Sequence, residues 1–200
     1  MKQVFRPFSL LVLTVALVAL LGNACDKPTP DRAWDREAFQ PMPENQKAYS
    51  LPAGITIDSL YGNAEDIPES YMPLYMVVSN SNSGNTTVTF PAGLVFDPGS
   101  IDYQYMMLLK SFTFTAAAGV TDSILVPTYG CNEDLGAPDD ESHYVIAGIE
   151  WDKETEELLD IVANKQLVDS ASDLAQDALY EITDGDGLTE ATKAALNALP

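Results

Sequence analysis

The chain of 200 residues carries 30 Asp and Glu against 10 Lys and Arg, a formal net charge of −20. A surface that negative is a poor match for nucleic acid or anionic head groups, whose phosphates are bound through Lys and Arg. Forty-six per cent of the residues are apolar and only two are Cys, so the fold rests on packing rather than on a disulfide framework.

Lys2 and Arg6 precede a nearly uninterrupted apolar run from Phe8 to Leu21, which gives way to Gly22, Asn23, Ala24 and Cys25. A membrane-spanning helix needs about 20 apolar residues. A shorter run with basic flanks and small residues behind it predicts a secretory signal peptide over 1–24. "LLGNAC" resembles the lipobox of bacterial lipoproteins, and the resemblance implies a Cys25 thiol that takes a diacylglycerol and becomes the new N-terminus. The chain would then be anchored to a membrane of the bacterial cell envelope, periplasmic or surface-exposed, without spanning it. Ordinary cleavage would instead leave Cys25 a free thiol on a secreted chain.

Residues 25–50 contain Pro28, Pro30, Pro41 and Pro43 among many charges, the composition of an extended tether. From 51 to 150 the pattern has period two. "YMPLYMVVSN", "TTVTFPAGLVF", "YQYMMLLKSFTFTA" and "TDSILVPTYG" are β-branched and aromatic runs separated by turn signals such as "SNSGN" and "AAAGV". Such spacing predicts an antiparallel β-sandwich. From Trp151 to 200 the period turns helical. Asp152 is placed to cap a first helix carrying Leu158, Leu159 and Val162. A second helix begins near Ser170 or Ser172, with Leu174, Ala178 and Ile182 on one face. A third carries Leu188, Ala191, Ala195 and Leu199. The fold class expected is mainly β with a C-terminal helical segment, the two or three short helices packing on each other or on the sandwich.

Four stretches hold residues with chemical potential. Asp184 and Asp186 in "TDGDGLTE" suggest a calcium loop, but the remaining ligand positions of that spacing fall on Ile182 and Lys193, so Gly185 and Gly187 read as a helix stop and turn. Asp134, Asp139, Asp140 and Glu141 crowd one loop and could surround a cation such as Ca2+; the simpler expectation is a solvated acidic loop. His143 is the only His, which gives no dyad for zinc or hydrolytic chemistry. Cys131 in "TYGC" and Gln176 in "AQDALY" form the fourth. Together they resemble the thioester adhesin domains of bacterial surface proteins, in which a Cys is followed by a Thr-Gln-x-Ala-Ile-Trp motif at a helix start. Gln176 and Ala178 match that motif, and Leu179 and Tyr180 are similar in kind. The resemblance implies an internal Cys131–Gln176 thioester that captures amines or hydroxyls; without it, Cys131 is a buried core residue and Gln176 a helix-surface one.

"FPAGLVFDP", the Tyr103–Thr121 run, a single Cys in the following strand, "APDD" and "AQDALYEITDG" also resemble a class of exported bacterial domains with a β-sandwich before a small helical segment. That likeness implies the architecture and no activity. The expected function is a non-enzymatic, lipid-anchored binding or interaction module for a protein or small-molecule partner, with a basic or cationic one favoured by charge. The alternatives are a covalent adhesin and, behind it, an envelope hydrolase.

Overall fold

The computed structural model describes residues 47–63, 67–149 and 153–200. The expected signal peptide, Cys25, the expected tether up to Gln46 and the expected capping role of Asp152 lie outside those residues. Among the described residues there are nine strands, all paired antiparallel, followed by three helices. The protein is mainly β with a helical C-terminal segment.

The strands are β1 (Ile55–Gly62), β2 (Leu74–Asn80), β3 (Thr86–Phe90), β4 (Leu94–Asp97), β5 (Met106–Met107), β6 (Phe112–Ala116), β7 (Thr121–Val126), β8 (Tyr129–Gly130) and β9 (Val145–Ile149). They form a three-stranded sheet β1-β2-β7, a β3-β6 pair and a four-stranded sheet β8-β5-β4-β9. The helices are α1 (Lys153–Val162), α2 (Ser170–Thr183) and α3 (Glu190–Asn197).

In the four-stranded sheet β4 and β5 are buried on both faces, and their sequence shows why. Leu94, Val95 and Phe96 are consecutive and all buried, as are Met106 to Leu109. A half-exposed strand would alternate apolar with polar; an unbroken apolar run marks a strand covered on both sides. Successive side chains point to opposite faces. Leu94, Phe96, Met106 and Leu108 therefore join Leu74, Met76, Val88 and Phe90 in a core between sheets. Val95, Met107 and Leu109 join Leu158, Val162, Leu179, Ile182 and Leu196 in a second core beneath the helices. The helices pack on each other and on the β-layer at once.

Three elements differ from the periodicity reading. The run from Tyr103 to Ala116 is two strands, because the chain leaves the four-stranded sheet after Met107 and pairs with β3 only from Phe112. Leu108 and Leu109 go into different cores at that crossing. In α2 the buried apolar positions are Ala171, Ala175, Ala178, Leu179 and Ile182, with Leu174 only half-buried, because small residues let the helix lie close to β8. In α3, Ala191 and Ala195 are exposed and the inward face is Leu188, Thr192 and Leu196. That rotation is set at the helix start. Thr189 accepts from Thr192 N at 3.2 Å as N-cap, and the Glu181 carboxylate accepts from Thr189 N at 2.8 Å and from Thr192 Oγ1 at 2.5 Å.

Candidate functional site

Cys131 and Gln176, 45 residues apart in sequence, lie at one place in the fold. β8 is an edge strand of the four-stranded sheet, paired on one side with β5. Cys131 N donates inward to Tyr105 O at 2.9 Å. In an antiparallel ladder the N–H and C=O of a residue face the same side and alternate along the strand. Gly130, one residue earlier, therefore presents both groups away from β5, as any edge strand does. The Gln176 side chain meets them: Gly130 N donates to Gln176 Oε1 at 2.8 Å, and Gln176 Nε2 donates to Gly130 O at 2.7 Å. The primary amide supplies one donor and one acceptor in the arrangement that a neighbouring strand would offer. Gln176 is buried, as is Cys131. The expectation of a helix-surface Gln is corrected: it sits on the inward face of α2 because an edge strand must be satisfied there.

Gly130 is required by a second side chain. A Cβ on Gly130 would stand 1.9 Å from Gln104 Oε1 and 3.2 Å from the Tyr180 hydroxyl. Gln104 is itself buried and fully engaged. Its Oε1 accepts from Tyr180 Oη at 3.0 Å, its Nε2 donates to Leu135 O at 3.1 Å, and its carbonyl accepts from Tyr144 Oη at 3.0 Å. Asn132, also buried, accepts from Tyr105 N at 3.4 Å through Oδ1. On the other flank Ser172 Oγ donates to Ser70 O at 3.0 Å and lies 3.3 Å from Tyr129 Oη. Burial pushes the Tyr180 phenol up to about 12, with the Gln104 contact pulling weakly the other way. Burial likewise pushes Tyr129 up to about 12, eased by Ser172, and Tyr144 rises by the same cause. The three phenols therefore stay neutral at physiological pH, and those of Tyr144 and Tyr180 donate.

The acidic loop is organised around its own backbone. Asp139 Oδ1 accepts from Glu141 N at 3.0 Å and Ser142 N at 2.9 Å, Oδ2 accepts from Tyr103 Oη at 3.1 Å, and Asp139 O accepts from Gly62 N at 2.9 Å. Asp139 is thus a turn-former that ties the loop to β1. Among the described residues no group of three or more His, Cys, Asp or Glu is arranged to hold a metal. Of Asp134, Asp139, Asp140 and Glu141, Asp139 is committed to the turn, and Asp140 and Glu141 are exposed. Exposed His143 forms an isolated bridge to Tyr61. Asp184 Oδ2 accepts from Glu133 N at 3.1 Å and Thr183 Oγ1 at 2.9 Å, and Gly187 takes φ 107, so this stretch closes α2 and turns the chain.

Gln104 and Tyr144 are residues of this site that the sequence reading does not name. Gln104 between two tyrosines in a β-rich run was the one local signal, since a polar residue in such a run is either solvated or bonded inside. No protein-family model, curated protein or solved structure matches the chain.

Proposed function

We propose that the chain is a lipid-anchored bacterial envelope protein whose acidic, β-rich domain works as a non-enzymatic binding module. The observation that carries this reading is the N-terminal order: basic residues, a short apolar run, Cys25, a proline-rich stretch, and then a folded domain. Acyl chains on Cys25 would hold the protein at a membrane, each buried methylene contributing about 0.8 kcal/mol. The acidic balance favours a basic or cationic partner. The test is metabolic labelling with palmitate in a bacterial host, followed by fractionation. Label and membrane association are expected in the native chain and lost together in Cys25→Ser. An unlabelled native chain, or a Cys25→Ser variant that stays with the membrane, contradicts the reading.

A second reading has its own support. Gln176 hydrogen-bonds the residue next to Cys131, and both side chains are buried. Attack of the Cys131 sulfur on the Gln176 amide carbon would form the S–C bond and break C–N, with ammonia leaving. The thioester so formed would make the domain a covalent adhesin. It would lower the mass of a fresh sample by about 17 Da, one ammonia released on condensation. Methylamine would then add to Gln176. An undiminished mass on the peptides carrying Cys131 and Gln176 ends this reading.

A further inference from the structure

The loop from Ile67 to Tyr71 and the segment from Leu167 to Asp173 face each other across a cleft of about 680 Å³. That volume lies in the range of small-ligand sites. Tyr71 and Val168, two of the five exposed large apolar side chains among the described residues, stand one on each wall at 43% and 42% exposure. Glu69 (φ 60) and Asp169 (φ 51), the two non-glycine residues with left-handed backbone among the described residues, also stand one on each wall. Residues held in that region persist where the surroundings over-determine them, and they concentrate at ligand sites.

The lining also carries a sign. Glu69 is offset by Lys110, whose Nζ lies 2.6 Å from its carboxylate and donates to Lys165 O at 2.9 Å. Asp169 and Asp173 add two carboxylates on the helix wall, and the Asp169 side chain takes no part in capping α2. The N–H groups of Ala171, Ser172 and Asp173 already donate to Val168 O and Asp169 O, so an anion would find those donors taken. The helix end contributes only about half a positive charge, less than the two carboxylates.

We infer that this cleft receives a basic side chain of a partner polypeptide, its methylenes against Tyr71 and Val168 and its cationic head at Asp169 and Asp173. The inference rests on the binding-module reading and names the chemistry of that module's partner. A long basic side chain suits the site because it lays an apolar stem on apolar surface while its charge stays at the rim.

The test is calorimetric titration of the full chain with an acetylated Lys–Leu–Lys amide peptide, with a Glu–Leu–Glu peptide as comparison. Saturable binding of the basic peptide alone is expected. Asp169→Asn with Asp173→Asn should weaken it about tenfold, as expected when charge complementarity to a cationic head is removed. Asn has nearly the shape of Asp, and the Asp169 side chain makes no cap hydrogen bond, so the fold is retained. Asp140→Asn with Glu141→Gln makes the same charge change on the exposed loop and should alter binding by less than about twofold, since distant exposed charges are screened by salt. Tyr71→Ser should weaken binding without changing the net charge. Absence of saturable binding, equal weakening by both charge pairs, or no effect of the cleft variants overturns the inference. Those results leave Cys25 labelling untouched, so the anchored reading stands or falls separately.

Discussion

Replacing Gln176 with alanine should destabilise the domain by about 3–5 kcal/mol, because two buried backbone groups lose their partners at once and each unsatisfied group costs about 1–3 kcal/mol. Gly130 N–H and C=O are those groups, and the amide that meets them is 1% exposed, with little water to replace it. Domains of this size are stable by only about 5–15 kcal/mol, so the change takes a large share of the whole. Gln176→Glu is the sharper variant. A carboxylate keeps the acceptor for Gly130 N–H but removes the donor for Gly130 O and brings a charge into a buried site. It should be at least as destabilising as alanine at neutral pH and should recover part of the loss in acid, where the protonated carboxyl can donate again. The sign follows from burial: burial raises the carboxyl's folded-state pKa above its unfolded value, so its contribution is retained at low pH and lost as pH rises. Urea unfolding of the three proteins between pH 4 and 8 measures both effects. A Gln176→Ala cost under about 1 kcal/mol, the scale of a single ordinary hydrogen bond, would mean that the amide is dispensable.

Gly130→Ala should cost about 3 kcal/mol or more, beyond the usual range for overpacking by one methyl, because the neighbour cannot give way. The new Cβ would fall 1.9 Å from Gln104 Oε1. Gln104 cannot swing aside without leaving Tyr180 and Leu135, and its own backbone is held by Gly136 and Tyr144. The signature is a coupled double-mutant cycle. Gly130→Ala should be far less harmful in a Gln104→Ala background, since the clash and the network are then both gone, with an interaction energy of about 1–3 kcal/mol. Additive losses would show that the strain at Gly130 has another source.

The class of fold was legible because periodicity is a local property. Val88 and Phe90, Leu94 and Phe96, and Phe112 and Phe114 mark strands by spacing alone, and Leu158 and Val162 mark a helix. Strand partnership was not legible. Consecutive strands β2 and β3 part into different sheets, and β3 pairs with β6 across two intervening strands. Nothing near residue 86 records where residue 116 will lie. The unbroken run from Met106 to Leu109 did carry a signal, since it suits a strand with cover on both faces, which the helices supply.

The candidate site shows the same division. Short motifs link Cys131 with Gln176, and in the fold the Gln176 amide bonds Gly130, the residue before Cys131. The reason for that placement is out of reach of the sequence, because it depends on β8 being an edge strand whose unpaired backbone turns toward α2. Gln104 and Tyr144 carry no motif, and Tyr180 enters only as the last position of the stretch around Gln176; their hydrogen bonding is recognised only once burial shows that each polar atom needs a partner. In the acidic loop, five carboxylates fall within nine residues, and spacing alone does not assign each a role; Asp139 is engaged by main-chain N–H groups three residues away or fewer, the ordinary use of Asp in a turn.

The central structural claim is that the Gln176 amide stands in for a missing strand at Gly130. Amide hydrogen exchange of the Gln176 side chain, followed by nuclear magnetic resonance on the folded chain, tests it most directly. A resolved side-chain NH2 pair is expected, whose hydrogen-bonded proton exchanges as slowly as the Gly130 backbone amide and loses that protection with it on global unfolding. A rapidly exchanging pair would contradict the clamp, and a pair missing altogether would point to the amide nitrogen having left as ammonia, displaced by the Cys131 sulfur.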